Sequence, residues 1–576
     1  MTGMPARDFP QVADAFLELI AAHGSDKAFV NPGTDTYPLQ EAWARRKERG
    51  LERPEAVLCT HEFTAVSAAH GYYLVTGRPQ TVMVHVDAGT ANAVGALTNA
   101  AGANAGLVLC AGRIPFTCGG ETCGGRDNYI MWSQDPFDQA GMVRGYVKWH
   151  YELGRPENTA SVVARAFQVA RNEPAGPVYL TLPRDVLMLP APGVRMPDRR
   201  QTAPASPPAP DPAAIEEAAR LLLAAERPLI VAGRNGKAPQ SIPELTGLAE
   251  ALGAGIVDAY EYASVPGSCA LNFGPALETM LPNADAVLFV ESRVPYVPAQ
   301  ATPAADATLI HLERDPVHET QVVWDFPADL RITADCVSGL RALRAAVADL
   351  RTAAQAEKIA ERRALVAGRR AEWCAMVESR ARARSSTYPI HPEWAVWCLK
   401  QVLPENAILL EDAVTNRIYA RTHLMREQPE TLFTSGAACL GWSVNAAIGC
   451  KLGRPEATVV SLVGDGGFTF TNPVAAIGTA ERAGAPSLTV LLNNGGYLAA
   501  QAPIKDLFPG GAVERLDDAI VTRIQPRPDY ARIAEACGAV GITVSDPAEV
   551  QSALRKGLDA VEHGRSAVVN VILANI

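Results

Sequence analysis

Short runs of consecutive apolar residues, each followed by a stretch of helical periodicity, recur along the chain. Examples are QTVMVHV (80–86), GLVLCAG (106–112), PLIVAG (228–233) and TVVSLVGDG (458–466). Strands that are apolar on both faces and alternate with helices are typical of parallel sheets covered by helices. The pattern therefore predicts an α/β fold with central, mainly parallel sheets flanked by helices.

Two segments of unusual composition divide the chain into three blocks. Residues 190–212 are rich in proline and lack apolar periodicity, which predicts an extended linker. Residues 351–385 are rich in Ala, Glu and Arg, which predicts a long, exposed helical linker. We therefore expect three domains, at residues 1–189, 213–350 and 386–576, each built around its own sheet.

Charge and hydropathy exclude several classes of protein. The net charge of -10 argues against nucleic acid as a partner, because a phosphate backbone requires a basic face. No uninterrupted apolar run reaches the ~18 residues that a membrane span needs. The first residues lack the pattern of a secretory signal, and the cysteines are scattered. We therefore expect a cytoplasmic protein that binds a small molecule.

The most specific motif lies in the third block, where two neighbouring predicted strands end in glycine and polar residues. Asp465 and Asn494 are separated by about one strand–helix–strand unit, so they should meet at one edge of a sheet. Hard oxygen donors of this kind suit an octahedral magnesium ion. The adjoining glycines allow backbone N–H groups to approach a phosphate. The residues concerned are Gly464, Asp465, Gly466 and Gly467 after the first strand, and Asn494, Gly496 and Tyr497 after the second.

This pair of motifs resembles the diphosphate- and magnesium-binding motif of thiamine-diphosphate-dependent enzymes. The chain is similar over nearly its whole length to the three-domain group that contains benzoylformate decarboxylase, pyruvate decarboxylase and acetolactate synthase. The resemblance implies a pyrimidine-binding, a middle and a diphosphate-binding domain, with thiamine diphosphate and Mg²⁺ as cofactors. It implies Asp465, Asn494 and the Gly496 carbonyl as metal ligands, within a cofactor-binding set that also includes Gly464, Gly466, Gly467 and Tyr497.

The resemblance extends to independent positions of the cofactor site. Glu62, predicted at the start of a helix, corresponds to the glutamate that contacts the aminopyrimidine ring and helps to activate the thiazolium carbon. Leu440 corresponds to the bulky apolar residue that bends the cofactor, and the Ala438 carbonyl to the acceptor of its amino group. Thr415 and Asn416, in the segment EDAVTNR (411–417), correspond to the loop that hydrogen-bonds the diphosphate.

Residues for the substrate are implied in the first and third blocks. Thr34 and Asp35 lie in FVNPGTDTYP, which resembles a segment of benzoylformate decarboxylase in which a serine faces the substrate, and Thr34 replaces that serine. His85 matches the position of an active-site histidine in the first domain of that enzyme, and a histidine can shuttle protons near neutral pH. Tyr497 and Gln501, which follow the metal motif, are expected to face the substrate. Glu62, His85 and Thr34 are therefore the predicted catalytic residues.

The implied reaction is cleavage or formation of a carbon–carbon bond in a 2-oxo acid or 2-hydroxyketone, with non-oxidative decarboxylation or carboligation favoured. Residues 291–303 lack the second active-site histidine of benzoylformate decarboxylase. The paired histidines of pyruvate decarboxylase and the FQE-type segment of acetolactate synthases are also absent.

Other activities stay open at this point. An acetolactate-synthase-type transferase that joins two 2-oxo acids is one alternative, and a diketone or acyloin lyase is another. FAD is possible, but residues 231–239 carry no clear flavin signature. A non-enzymatic regulatory subunit is least favoured, because the motif residues are intact. The resemblance implies a homodimer at minimum and a homotetramer as the expected state.

Overall fold

Three parallel β-sheets, one in each third of the chain, form the framework of the protein. The computed structural model describes residues 6–196, 198, 200–261, 265–516 and 520–574. Every strand pair within these three sheets is parallel, and helices cover both faces. The predicted fold class is therefore confirmed. None of the helices in the described ranges is long and apolar enough to cross a membrane.

The first sheet has six strands in the order β3-β2-β4-β5-β7-β6. The strands of this sheet are β2 (Lys27–Val30), β3 (Glu55–Leu58), β4 (Gln80–Val84), β5 (Leu107–Arg113), β6 (His150–Glu152) and β7 (Pro177–Pro183). A separate two-stranded sheet is formed by β1 (Ala6–Phe9) and β8 (Ala191–Arg195). The helices of the first domain are α1 (Val12–Ala22), α2 (Tyr37–Glu48), α3 (Glu62–Thr76), α4 (Val86–Gly102), α5 (Ile130–Ser133), α6 (Thr159–Arg171) and α7 (Arg184–Leu187).

The middle sheet has five strands in the order β10-β9-β11-β12-β13. Its strands are β9 (Pro228–Ala232), β10 (Gly255–Asp258), β11 (Ala286–Val290), β12 (Thr308–Glu313) and β13 (Leu330–Thr333). The helices of this region are α8 (Pro212–Ala224), α9 (Ser241–Leu252), α10 (Leu277–Met280) and α11 (Cys336–Leu350), followed by the long α12 (Ala353–Ala383).

The third sheet repeats the topology of the first, with six strands in the order β15-β14-β16-β17-β19-β18. Its strands are β14 (Ile408–Asp412), β15 (Leu432–Thr434), β16 (Val459–Gly464), β17 (Leu488–Asn493), β18 (Val540–Val544) and β19 (Ala567–Ile572). Its helices are α13 (Pro392–Val402), α14 (Arg417–His423), α15 (Trp442–Gly453), α16 (Asp465–Phe470), α17 (Pro473–Arg482), α18 (Leu498–Leu507), α19 (Ala512–Leu516), α20 (Tyr530–Ala536) and α21 (Val550–Glu562).

The two segments interpreted as linkers have different structures. The proline-rich segment begins with β8, which pairs antiparallel with β1 and so belongs to the first domain at its start. The second segment is almost entirely α12, whose N-terminus carries a capping box formed by Thr352 and Gln355. The domain boundaries given above stay predictions.

Helices α3 and α15 join the first and third domains with their backbones in close contact. Gly71 and Gly449 make this possible, because a Cβ atom at either position would overlap a backbone carbonyl of the facing helix. Trp442 Nε1 also donates a hydrogen bond to His70 Nδ1 at 2.9 Å across this contact. The helix that begins with Glu62 and the helix that follows Leu440 are therefore held against each other.

Candidate active site

Glu62 is the first residue of α3, just beyond the carboxyl end of β3. His61 caps the helix by accepting a hydrogen bond from the backbone N–H of Phe63, which fixes the helix start. The Glu62 side chain is directed towards α4, where Asn92 Nδ2 donates to Glu62 Oε2 at 3.2 Å. Glu62 is 8% exposed, so its carboxyl group is held in place and largely shielded from water.

His85 and Asp35 form a hydrogen-bonded pair at the same edge of the first sheet. His85 Nδ1 lies 2.5 Å from Asp35 Oδ1, and this hydrogen bond raises the pKa of His85 although burial acts in the opposite direction. Gly33 and Gly112 leave room for the pair, because a Cβ atom at either position would overlap the His85 ring or the Asp35 carboxylate. Asp35, predicted to line a substrate pocket, is buried as the partner of His85, whereas the neighbouring Thr34 is exposed.

Asp465 and Asn494 lie at one edge of the third sheet, as the motif predicts. They directly follow β16 and β17, which are adjacent and paired in register. Asp465 is 2% exposed, and among the described residues its Oδ2 has no hydrogen-bond partner. Burial raises the pKa of Asp465. A buried carboxylate oxygen without a donor is costly unless a cation binds it, so this edge fits a magnesium ion.

The other predicted metal and substrate residues of the third block are Gly496, Tyr497 and Gln501, which follow Asn494 in the chain. The Gly496 N–H donates to Asn494 Oδ1 at 3.2 Å, and the Gly496 carbonyl accepts from Leu498 N at 3.2 Å. The Tyr497 ring packs against Gly466, where a Cβ atom would lie 2.7 Å from the ring. Gln501 is buried one turn further along α18.

Leu440, the predicted cofactor wedge, lies in residues 436–441 between β15 and α15, here called the wedge loop. Gly441 has a φ of 87°, a conformation that glycine adopts at little cost. Asn99 of α4 holds this loop through two hydrogen bonds, donating to the Cys439 carbonyl at 2.8 Å and accepting from Cys439 N at 3.2 Å. Leu440 is half-buried, while Ala438 is exposed. The wedge is therefore positioned by a helix of the first domain.

Asp412, the last residue of β14, is a buried carboxylate at the carboxyl edge of the third sheet that the sequence analysis does not single out. Its Oδ2 accepts a hydrogen bond from the Ser443 N–H at 3.2 Å in the first turn of α15, where Gly441 provides no side-chain cap. Burial raises the pKa of Asp412 to about 7. Thr415 and Asn416 follow in a short 3-10 turn, with Asn416 buried and Thr415 half-buried. The available signal was the position of Asp412 at the same strand edge as Asp465.

The middle domain contributes cations to the junction of the three domains. A cavity of about 350 Å³ lies at the carboxyl edge of the middle sheet and includes Arg234, Lys237 and Arg293 in its lining. All three side chains donate to carbonyl groups at the C-terminal end of α4. Arg293 also donates to the Gly436 carbonyl at 2.9 Å. The wedge loop, α4 and the middle domain are therefore linked by one guanidinium group.

Comparisons with known proteins agree with this arrangement. The thiamine pyrophosphate enzyme models for the N-terminal TPP binding domain, the central domain and the C-terminal TPP binding domain match residues 10–142, 215–343 and 412–571. Benzoylformate decarboxylase of Pseudomonas aeruginosa is 26% identical, over 95% of this chain and 97% of the relative. Sulfoacetaldehyde acetyltransferase of Rhodobacter capsulatus is also 26% identical, over 97% and 94%.

The fold is similar to that of a solved structure over almost the full length. A thiamine diphosphate-dependent 4-hydroxybenzoylformate decarboxylase of Rhodococcus jostii superposes with a TM-score of 0.77 at 22% identity. The superposition covers 98% of this chain and 99% of the other. The three domains thus follow one another in the same order as in that protein.

Proposed function

We propose that this chain, which belongs to the thiamine pyrophosphate enzymes, uses thiamine diphosphate and Mg²⁺ to cleave or form a carbon–carbon bond beside a carbonyl group. The substrate is a 2-oxo acid or a 2-hydroxyketone, and the favoured reaction is non-oxidative decarboxylation or carboligation. The similarity to a benzoylformate decarboxylase over 95% of the chain supports this choice of substrate class.

The observation that carries the proposal is the buried Asp465 carboxylate. Its Oδ2 has no hydrogen-bond donor among the described residues, and Asn494 directly follows the adjacent strand at the same edge of the sheet. An ionised carboxylate in such surroundings is stabilised by a cation, and oxygen ligands favour Mg²⁺. Asp465, Asn494 and the Gly496 carbonyl would hold this ion, and the ion would bind the cofactor diphosphate.

Glu62 would hold the other end of the cofactor. Thiamine diphosphate, when bound, supplies an electron sink for the charge that develops at the substrate carbonyl carbon. The Glu62 carboxyl group is buried and kept in position by Asn92, so it can exchange a proton with the aminopyrimidine ring. Leu440 and the Ala438 carbonyl would orient that ring.

His85 would move protons to and from the substrate. The Asp35 carboxylate orients the imidazole and stabilises its protonated form, so the ring keeps a proton to a higher pH than an isolated histidine. The exposed Thr34 hydroxyl, next to Asp35 in the chain, would contact the substrate. Tyr497 and Gln501 would limit the pocket from the third domain.

A second copy of the chain would complete the site. Large apolar side chains are exposed in the first and third domains, among them Trp132 and Phe137 in and after α5, and Leu507 and Phe508 at the end of α18. Exposed apolar groups near a site mark an interaction surface. A homodimer, or a homotetramer built from two such dimers, would cover them.

Acyl transfer between two carbonyl compounds is the second candidate. The similarity to a sulfoacetaldehyde acetyltransferase at 26% identity favours it, as does the lack of histidine in residues 291–303. An acetolactate-synthase-type condensation and the cleavage of a diketone or acyloin belong to the same class. A flavin absorption band in the purified protein would favour the acetolactate-synthase type.

The test is the release of carbon dioxide and the formation of aldehyde from a panel of aliphatic and aromatic 2-oxo acids. Release should require both thiamine diphosphate and Mg²⁺ and should stop on addition of a chelator. Asp465→Ala should abolish it together with metal binding, whereas Asp559→Ala, a change at an exposed aspartate of α21, should not. If thiamine diphosphate binds but no carbon dioxide is released, acyl transfer or diketone cleavage becomes the preferred reaction. Failure of the wild-type protein to bind thiamine diphosphate would refute the proposal.

A further inference from the structure

Residues 520–527, here called the strap, lie along the loop that carries the predicted metal ligands. The Tyr497 N–H donates to the Thr522 carbonyl at 2.8 Å, and the Ile524 N–H donates to the Gly495 carbonyl at 2.8 Å. Gly496 and Arg523 form an antiparallel bridge between these two hydrogen bonds. The backbone of the strap is therefore held in register with residues 495–497.

Arg527, at the end of the strap, lies against the metal-binding loop. A Cβ atom on residue 495 would overlap the Arg527 guanidinium, so the side chain rests directly on the Gly495 backbone. Gly495 has a φ of 81°, which any other residue would adopt with strain. Because Gly495 directly follows Asn494, the Arg527 guanidinium lies beside the loop that carries a predicted metal ligand.

A cavity of about 610 Å³ is bordered by both the strap and the loop that carries the predicted metal ligands. It is lined by Asn494 and Gly495 together with residues 523–527. A predicted metal ligand and two arginines therefore border the same space. A ligand in this cavity would meet both the cation held by Asp465 and Asn494 and the guanidinium groups of the strap.

The negative charge of the expected diphosphate ligand gives a reason for a positively charged side chain beside the metal site. A diphosphate carries more negative charge than one Mg²⁺ neutralises, and the Asp465 carboxylate adds to the excess. In a partly buried site this excess charge is costly unless another positive group offsets it. A planar guanidinium is suited to the task, because it donates two parallel hydrogen bonds to phosphate oxygens.

We propose that Arg527 binds the diphosphate group of the cofactor directly, as a ligand outside the motif that holds Mg²⁺. The inference rests on the proposed function, because it takes thiamine diphosphate as the ligand. The strap sets the position of Arg527 through its backbone hydrogen bonds to residues 495 and 497. The role of Arg527 is binding, so it should affect cofactor affinity before it affects the chemical step.

The experiment measures cofactor binding by isothermal titration calorimetry on the full-length protein after removal of bound cofactor, with Mg²⁺ present. Thiamine diphosphate, thiamine monophosphate and thiamine are titrated into the wild type, Arg527→Ala and Arg527→Lys. We expect Arg527→Ala to raise the Kd of thiamine diphosphate about tenfold or more, as loss of a charged hydrogen bond would. Arg527→Lys should have a smaller effect, and thiamine affinity should not change.

Arg532→Ala is the matched control, because it removes the same charge from an exposed position on α20 where Arg532 pairs with Asp529. Its Kd for thiamine diphosphate should equal that of the wild type. An unchanged Kd in Arg527→Ala, or an equal loss of thiamine affinity, would overturn the inference. If Arg527→Ala does not fold, Arg527→Lys becomes the deciding variant. A Kd of Arg527→Lys equal to that of the wild type for all three ligands would contradict a bidentate guanidinium contact. Failure of the wild type to bind thiamine diphosphate would refute the proposed function and not this assignment alone.

Discussion

Replacing Asp412 with asparagine should make the protein more stable at neutral and alkaline pH. Asp412 is 5% exposed, and burial raises the pKa of its carboxyl group from 3.8 to about 7. In the unfolded chain the same group ionises near its ordinary pKa. Folding therefore favours the protonated acid, and above pH 7 the native state carries a buried negative charge.

The magnitude follows from the difference between the two pKa values. The folded-state pKa exceeds the unfolded one by about three units, and each unit corresponds to ~1.4 kcal/mol, so the penalty above pH 7 is ~4 kcal/mol. The penalty is absent below about pH 4, where both states are protonated, and grows as the pH rises to about 7. Asparagine cannot ionise, and its Oδ1 can still accept the hydrogen bond from the Ser443 N–H.

The assay is the apparent Tm of the cofactor-free protein between pH 4 and 9, for the wild type and Asp412→Asn. A Tm is used because a chain of three domains does not unfold as a simple two-state system. The advantage of Asp412→Asn should appear above pH 4, increase up to about pH 7 and then stay constant.

Asp559→Asn, at an exposed aspartate, serves as the control and should run parallel to the wild type at every pH. A pH-independent difference between Asp412→Asn and the wild type would refute the reasoning. So would a variant that loses stability relative to the wild type as the pH rises.

Three further predictions concern the catalytic groups and the domain contact. Glu62→Gln should bind thiamine diphosphate with little change in Kd but lose turnover about a hundredfold or more, as calorimetry and rate measurements would establish. Asp35→Asn should lower the pKa of His85, so that the alkaline limb of the pH–rate profile moves to lower pH, and an unmoved limb would exclude the pair from proton transfer. Gly449→Ala should destabilise the protein by about 1–3 kcal/mol or more, because its Cβ would overlap a backbone carbonyl of α3. Gly478→Ala is the control, since its added Cβ meets no atom within 4 Å, and it should leave the Tm unchanged or raised.

Most of the framework could be predicted because its signals are local. The apolar runs predict parallel strands, and the structure places Asp465 and Asn494 directly after two adjacent ones. Glu62 and His85 likewise occupy the strand-to-helix turns that the sequence indicates. The roles of these residues in catalysis stay predictions.

Other features of the site could not be predicted from local patterns. One such feature is the pairing of the Asp35 side chain with a histidine 50 positions away in the chain. That Asp35 lines the substrate pocket stays a prediction. The role of Asp412 could not be predicted either, because it depends on the hydrogen bond between this strand-end carboxylate and the start of α15. The start of the proline-rich segment pairs with the N-terminal strand, which is a contact between segments distant in the chain.

The sequence by itself determined the fold class and the positions of the motif residues on strand ends, since periodicity and turn chemistry act within one strand–helix unit. The tertiary structure alone decided which of these units meet. The packing of α3 on α15, the link that Arg293 forms between three domains, and the placement of Arg527 beside Gly495 all join segments distant in the chain. Such contacts depend on close packing and charge pairing between surfaces that exist only after each domain has folded. No local pattern in the sequence therefore predicts them.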